Sequence, residues 1–406
     1  MRCKTLALTF IFLLCGAPLV FPGDLQLVWK CARTPDGKQA IYSIRVNDQA
    51  STVTQRHLVA ASNERRLAVI PWHGKQIHYM ECSAFDKKKS ALIPRIMYED
   101  GKEKRSLLEN QALIDDIGFE PYDSALSNSS RYMTFTASRK IPFTTSIGVR
   151  CEEVSSRAVR VMDLSTGQVR RVVPFGYLCE RPVFSPDSTM IAFYRAPLDI
   201  LFIMGGGETN DAFGHRLCVV PVEGGEVQVL SPPANTIGTG YGNTNPPAWS
   251  PDGKRILFVA MYNDPNLVLP PVQDIGNPDP AALEARKRFH PQGVYLYDLS
   301  SRKLERMTPI QQHAGVPCWA PDGRRFVCGI ASELTIVDTE TKNLTQLGYR
   351  ICGPCKWSPR EDVIAFMEKP ETTEVGDTLS VVSTDGKRHT VIARRLQHFG
   401  EFFWCD

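Results

Sequence analysis

Trp249-Ser250-Pro251-Asp252-Gly253-Lys254-Arg255-Ile256 decides the fold. Proline fixes φ at the first turn position and Asp-Gly completes a tight reversal. The run from Ile256 to Val259 then has the aliphatic and aromatic content of a half-buried strand. An aromatic residue closing one strand, a short turn and a second apolar strand together make a β-hairpin. Three more segments repeat it: Phe184-Ser185-Pro186-Asp187-Ser188, Trp319-Ala320-Pro321-Asp322-Gly323 and Trp357-Ser358-Pro359-Arg360-Glu361. Each leads into an apolar run, from Met190, Phe326 and Val363 respectively.

A second hairpin with a polar tip lies further along most units. Val159 to Val172 turns at Thr166-Gly167, Leu217 to Leu230 at Gly224-Gly225, Val294 to Met307 at Ser300-Ser301, and Leu379 to Ile392 at Asp385-Gly386. Two hairpins per unit supply four strands, the content of a propeller blade. Weaker copies extend toward the N-terminus, at Leu126 to Phe135 and, shortened, at Ala61 to Val69; Ile93 to Leu107 is a companion hairpin turning at Asp100-Gly101. Anchors near 62, 127, 185, 250, 320 and 358 number six. Leu25 to Val46 reads as one more hairpin, and His398 to Trp404 as a lone strand. Ring closure by strands from both termini would use both pieces and remove exposed edges, which favours seven blades over six. The expected fold is thus an all-β propeller of six or seven four-stranded blades, occupying 24–406 as one domain. Pro186, Pro251, Pro321 and Pro359 are spaced 65, 70 and 38 residues apart. Against ~40–45 for a four-stranded blade, the first two spacings imply insertions, placed at about 196–214 and 263–292. The second is Pro-rich, with a short helix expected over Ala281 to Phe289 behind Asp279-Pro280.

These segments resemble the repeats of the TolB-like, or WD40-like (PD40), β-propeller family, over roughly 115–400 well and 25–114 poorly. The resemblance implies the propeller fold and is nearly silent on activity, since such propellers serve as interaction platforms, substrate gates and occasionally enzymes. Two departures stand out. No βαβ-like stretch precedes the repeats, and no Gly-x-Ser-x-Gly elbow of an attached hydrolase is present.

Residues 1–23 carry Arg2 and Lys4, then an apolar run from Thr5 to Phe21 interrupted by Gly16 and Pro18, which reads as an export signal. Cleaved, lipid-anchored through Cys15 and membrane-tethered forms all fit it. A periplasmic, cell-envelope or secreted location is expected, with the membrane touched only through this segment. The 47 Lys+Arg against 44 Asp+Glu leave a net charge of +3, too small to point to nucleic acid. Hydrophobic content of 43% excludes a disordered chain.

Of 12 cysteines, two lie in the signal region. Cys318 and Cys328 flank Gly323 symmetrically, which suggests a cross-strand disulfide; buried free thiols are the alternative. Cys352-Gly353-Pro354-Cys355 has the letters of a thioredoxin-type motif, yet Trp357-Ser358-Pro359 forbids the helix that chemistry needs, so a strand-end pair is expected. No zinc-finger or metalloprotease spacing occurs among the eight histidines, so neither a metal nor a cofactor is expected. The loops entering the innermost strands should cluster at the channel mouth, with Glu120, Tyr122, Glu180, Arg181, Asn243, Asn245, His313 and Arg350. Such a ring suits a peptide, protein segment or sugar better than an apolar cofactor. The function expected is a monomeric, non-catalytic scaffold for a protein or envelope component. The alternative, drawn from the resemblance, is a uronate-lyase-like enzyme with a metal held by channel histidines around His313.

Overall fold

The computed structural model describes seven stretches before residue 119, namely 25–31, 39–46, 57–62, 65–70, 76–83, 92–98 and 104–106. From 119 onward it describes all residues except 130, 146–147, 149, 199–213, 235, 238, 241–242, 263–291, 311, 361–362, 370–376, 397–401 and 406. The export segment, both insertions and the helix expected over 281–289 therefore lie largely or wholly outside the described residues.

Antiparallel pairing groups the described strands into seven four-stranded units. The first contains β1 (Leu25–Cys31), β2 (Gln39–Val46) and β3 (His57–Ser62). The second runs β4 (Arg65–Ile70), β5 (Gln76–Ser83), β6 (Leu92–Tyr98), β7 (Lys104–Ser106). The third is β8 (Phe119–Leu126), β9 (Tyr132–Thr144), β10 (Arg150–Asp163), β11 (Val169–Val173). The fourth is β12 (Tyr177–Phe184), β13 (Met190–Pro197), β14 (Arg216–Pro221), β15 (Gln228–Val229).

In the fifth the first strand is split. β16 (Thr236–Ile237) and β19 (Ala248–Trp249) pair with different parts of one edge of β20 (Arg255–Met261), and between them β17 (Thr239–Gly240) and β18 (Asn243–Thr244) form a small ribbon. β21 (Gly293–Asp298) and β22 (Lys303–Arg306) complete that sheet. The sixth contains β23 (Cys318–Trp319), β24 (Arg325–Ile330) and β25 (Glu333–Asp338). β26 (Leu344–Trp357) belongs to two sheets: its first half pairs with β25, and its second half opens the seventh with β27 (Val363–Glu368), β28 (Asp377–Ser383) and β29 (His389–Leu396). That continuity explains the spacing of 38 residues between the last two anchors.

The last strand, β30 (Phe402–Cys405), pairs with β1 from Gln26↔Cys405 to Trp29↔Phe402. Both chain ends thus complete one sheet, the closure that the leftover pieces predicted. One anchor is corrected. The segment near Ser62 is not a hairpin within a blade, because β3 pairs with β2 and β4 with β5; it is a passage between sheets.

The second strands of the fourth to seventh sheets, β13, β20, β24 and β27, read as apolar runs because both of their faces are covered. On β13, Ile191 and Phe193 pack toward the third sheet with Val159 and Val161, whereas Ala192 and Tyr194 pack toward the fifth with Ile256 and Phe258. The alternation continues at Leu257 and Val259 against Phe326, and at Val327 against Ile364 and Phe366. It returns to the N-terminus where Val363 and Ala365 meet Leu27, Phe402 and Trp404. Complete burial of each such side chain contributes about 1.5–3 kcal/mol.

The anchor turns are built from one hydrogen-bonding pattern. Ser250 Oγ donates to Asp252 Oδ1 (2.5 Å) and accepts from Arg255 N (2.9 Å), while Asp252 Oδ1 also accepts from Lys254 N (3.1 Å). Ser185 and Asp187 repeat it, and so do Ser383 and Asp385 in an outer hairpin. Where Ala320 supplies no hydroxyl, Asp322 Oδ1 takes Arg325 N directly (2.9 Å). The hydroxyl bonds of Ser185 and Ser383 lead the effects that hold Asp187 and Asp385 below the usual carboxylate range. Gly253 and Gly323 close their turns at φ 70° and 66°; Ser188 holds the same place at φ 59°.

Sheets are joined at their first strands by indoles. Trp249 Nε1 donates to Val183 O (3.4 Å), Trp319 Nε1 to Ala248 O (2.9 Å) and Trp404 Nε1 to Lys356 O (2.9 Å). Each acceptor immediately precedes the aromatic anchor of the preceding sheet, Phe184, Trp249 or Trp357. Arg255 lies over the Trp319 ring and Arg325 over the Trp357 ring, at 5.2 and 5.3 Å from the centroids.

Two stability measurements follow from these contacts. Trp319→Phe leaves the Ala248 carbonyl without its donor and should cost about 1–3 kcal/mol in urea unfolding; an unchanged midpoint would remove the indole bond from the account. Ser188→Gly should stabilise by about 1 kcal/mol, because a left-handed backbone costs a side-chain-bearing residue and not glycine.

Candidate functional site

Each hairpin's anchor turn lies at one end of the sheets, so the β13–β14 and β20–β21 connections lie at the other. Both insertions leave from that end, on adjacent sheets. First strands are edge strands, and three of them carry a proline, Pro121, Pro182 and Pro354, with Pro247 and Pro317 just ahead of β19 and β23. An edge strand tolerates the missing N–H. At the first three, the register slips across the proline, between Glu120 and Ser124, Glu180 and Val183, and Ile351 and Cys355. These bulges re-aim the neighbouring side chains, and Arg181 takes up φ 53° within one of them.

The slip places four charges in a reciprocal exchange across the seam between the third and fourth sheets. Arg181 Nε of the fourth lies 3.0 Å from Asp123 Oδ1 of the third, and Arg157 Nη1 of the third lies 2.6 Å from Glu180 Oε1 of the fourth. Asp123 is buried and accepts a further bond from Thr136 Oγ1 at 3.3 Å. His215, only 2% exposed, sits at the mouth of β14, bridged to Ala234, with Nε2 at 3.9 Å from Glu180 Oε2.

Of the eight residues expected at the channel mouth, the structure thus brings together Glu180 and Arg181 and engages both in ion pairs. Glu120 and Tyr122 lie on β8 at its bulge and Asn243 lies on β18; only their backbone is described. Asn245 is half-buried beyond that ribbon. His313 and Arg350 are exposed at the starts of the sixth and seventh sheets, where their carbonyls accept from Ala331 N (2.9 Å) and Lys369 N (2.9 Å). Asp123, Arg157 and His215 were not legible as site residues; the recurring proline ahead of each anchor was the available signal. Among the described residues no group of three or more His, Cys, Asp or Glu side chains is placed to hold a metal ion, and His313 has no such company.

The disulfide expected between Cys318 and Cys328 is not formed, and both are free thiols. Cys318 stands opposite Val327, one residue out of step. Strand alternation therefore sends Cys328 into the core with Phe326 and Val259, while Cys318 packs against the Cys355 and Trp357 side. Cys352 and Cys355 lie within β26, on a strand as expected. Burial pushes the Cys355 thiol well above its ordinary range, the reverse of what a thiolate nucleophile needs.

No protein-family model matches the chain, and no curated protein sequence does either. Among solved structures, a puromycin-hydrolysing peptidase of Mycobacterium tuberculosis aligns at 13% identity and TM-score 0.57, over 92% of this chain and 54% of the peptidase. An oligogalacturonate lyase in complex with manganese aligns at 13% identity and TM-score 0.54, over 91% of this chain and 85% of the lyase. TolB from Acinetobacter baumannii aligns at 15% identity and TM-score 0.44, over 94% and 83%.

The seam can be probed by a double-mutant cycle on Asp123→Ala and Arg181→Ala, with a coupling energy of about 1–3 kcal/mol expected in chemical unfolding. Additive effects would show that the pair contributes nothing. The likenesses to the peptidase and the lyase are of fold, and the fold they share with this chain is the β-propeller.

Proposed function

We propose that the protein is an exported, non-catalytic β-propeller scaffold that binds a protein or envelope component through its insertion-bearing face and channel mouth. The observation that supports this most directly is the departure of two long insertions from one end of adjacent sheets, beside a seam fixed by reciprocal ion pairs. A propeller offers a rigid platform there, and loops on a rigid platform commonly carry recognition. Exposed His313 precedes β23 and exposed Arg350 lies at the middle of β26, where the sixth sheet passes into the seventh, and neither takes part in the ion-pair seam. They are the sequence-expected mouth residues best suited to contact a partner without disturbing the fold. Among the described residues no helix is long and apolar enough to cross a membrane.

Cross-linking capture from an envelope extract tests the reading with the His313→Ala/Arg350→Ala double variant beside the natural protein. Recovery of a discrete partner should fall at least about tenfold for the variant at unchanged melting temperature. Equal recovery by both proteins would remove this face from partner binding.

A further inference from the structure

We infer that Cys318 and Cys355 are a redox-active pair across the seam between the sixth and seventh sheets, which a small-molecule disulfide oxidises to a covalent staple between the first strands of the two sheets. Such a staple would serve any function of the ring, so it stands apart from the scaffold reading.

The seam differs from three others. Between the fourth and fifth, fifth and sixth, and seventh and first sheets, an indole N–H binds the carbonyl of the residue ahead of the neighbouring anchor. At the sixth–seventh seam that residue is Cys318, and the buried Trp357 indole has no hydrogen-bond partner among the described residues. Contact is made through sulfur instead: Cys318 Sγ accepts from Trp357 N at 3.3 Å. Trp357 lies two residues beyond Cys355 on the same face of β26, and both side chains pack in the core between the two sheets.

Contact runs the other way as well. Cys355 Sγ lies 3.6 Å from Val327 O and 3.7 Å from Val316 O. Val316 is two residues before Cys318, and Val327 is the partner of Cys318 across the ladder. Ala320 N donates to Arg325 O (2.8 Å), so by the alternation of an antiparallel ladder Cys318 and Val327 are again a hydrogen-bonded pair. The carbonyl under the Cys355 sulfur is therefore the one that receives the Cys318 N–H. Each sulfur thus rests on backbone at the other cysteine, and rotation of half-buried Cys318 about its Cα–Cβ bond brings the two together. The other thiols nearby face away. Cys328, next to Val327, lies on the fifth-sheet side of β24, and Cys352 packs toward the first sheet with its Sγ 3.6 Å from Met367 O.

Burial holds the Cys355 thiol well above its ordinary range, so Cys318 is the sulfur that meets the oxidant. Its thiolate attacks one sulfur of the external disulfide, and the first thiolate leaves with the proton that Cys318 gave up. Cys355 then attacks the Cys318 sulfur of the mixed disulfide, and its proton passes to the second departing thiolate. Two protein thiols are oxidised and one external disulfide is reduced to two thiols.

The test takes the full chain, reduced and then equilibrated in its folded state with oxidised glutathione, through alkylation of the remaining thiols and peptide mass spectrometry. The Cys318 and Cys355 peptides should be recovered joined, and the melting temperature should rise by about 3–8 °C and fall back with dithiothreitol. Cys318→Ala, at the half-buried position, should abolish both the joined peptide and the rise. Cys328→Ala should keep both, from a lower starting temperature. Alkylation of both Cys318 and Cys355, a glutathione adduct remaining on Cys318, or a link from either of them to Cys328 would each overturn the pair. A joined peptide without a rise in melting temperature would overturn the staple. None of these readouts involves partner capture, so the two proposals fail separately.

Discussion

Closure is the constraint on which the rest of this molecule depends. Four residues of β30 pair with four of β1, and Trp404 reaches from that strand to the Lys356 carbonyl of the seventh sheet. Without that junction the first sheet would lack its opening strand, and the chain would present two open edges. With it, the sheets pack side by side round the ring, and β13, β20, β24 and β27, in second place, are apolar on both faces. The indoles of Trp249 and Trp319 repeat the same link elsewhere in the ring. A single contact type, the ring N–H of one anchor on the carbonyl ahead of the previous anchor, thus recurs at three junctions of the ring, while the Trp357 ring N–H does not make it.

Much of this was readable in advance, for a local reason. The anchor turn is set by residues at most five positions apart: a hydroxyl, a proline, a carboxylate and a residue with positive φ. Such short-range chemistry shows in the letters. The anchors after residue 120, the outer hairpins and closure by both termini were all visible this way. The Ser62 segment failed because Ser62-Asn63-Glu64 has the composition of a turn, and composition does not say whether a turn joins two strands of one sheet or two sheets.

The site was less legible, and the reasons are geometric. Glu180 and Arg181 are adjacent in sequence, yet their partners Asp123 and Arg157 lie on another sheet, and the register slip at Pro182 is what presents them. A bulge displaces side chains by an amount that no periodicity announces. The cysteines show the same limit. Equal distances of Cys318 and Cys328 from Gly323 suggest facing positions, but the ladder sets Cys318 against Val327, and one residue of offset sends the two thiols to opposite sides of the sheet.

β26 runs without interruption from the outer edge of the sixth sheet to the inner edge of the seventh. Elsewhere a loop between sheets can lengthen or shorten without disturbing either neighbour. Here no loop intervenes, and what slack there is sits within the strand, at the register slip around left-handed Gly348 (φ 80°) and at the slip between Ile351 and Cys355. The joint therefore couples the two sheets along one strand, with those two irregularities as the places where a change in length would be taken up. A shift of the outer strand of the sixth sheet is thus passed along one continuous strand to the first strand of the seventh.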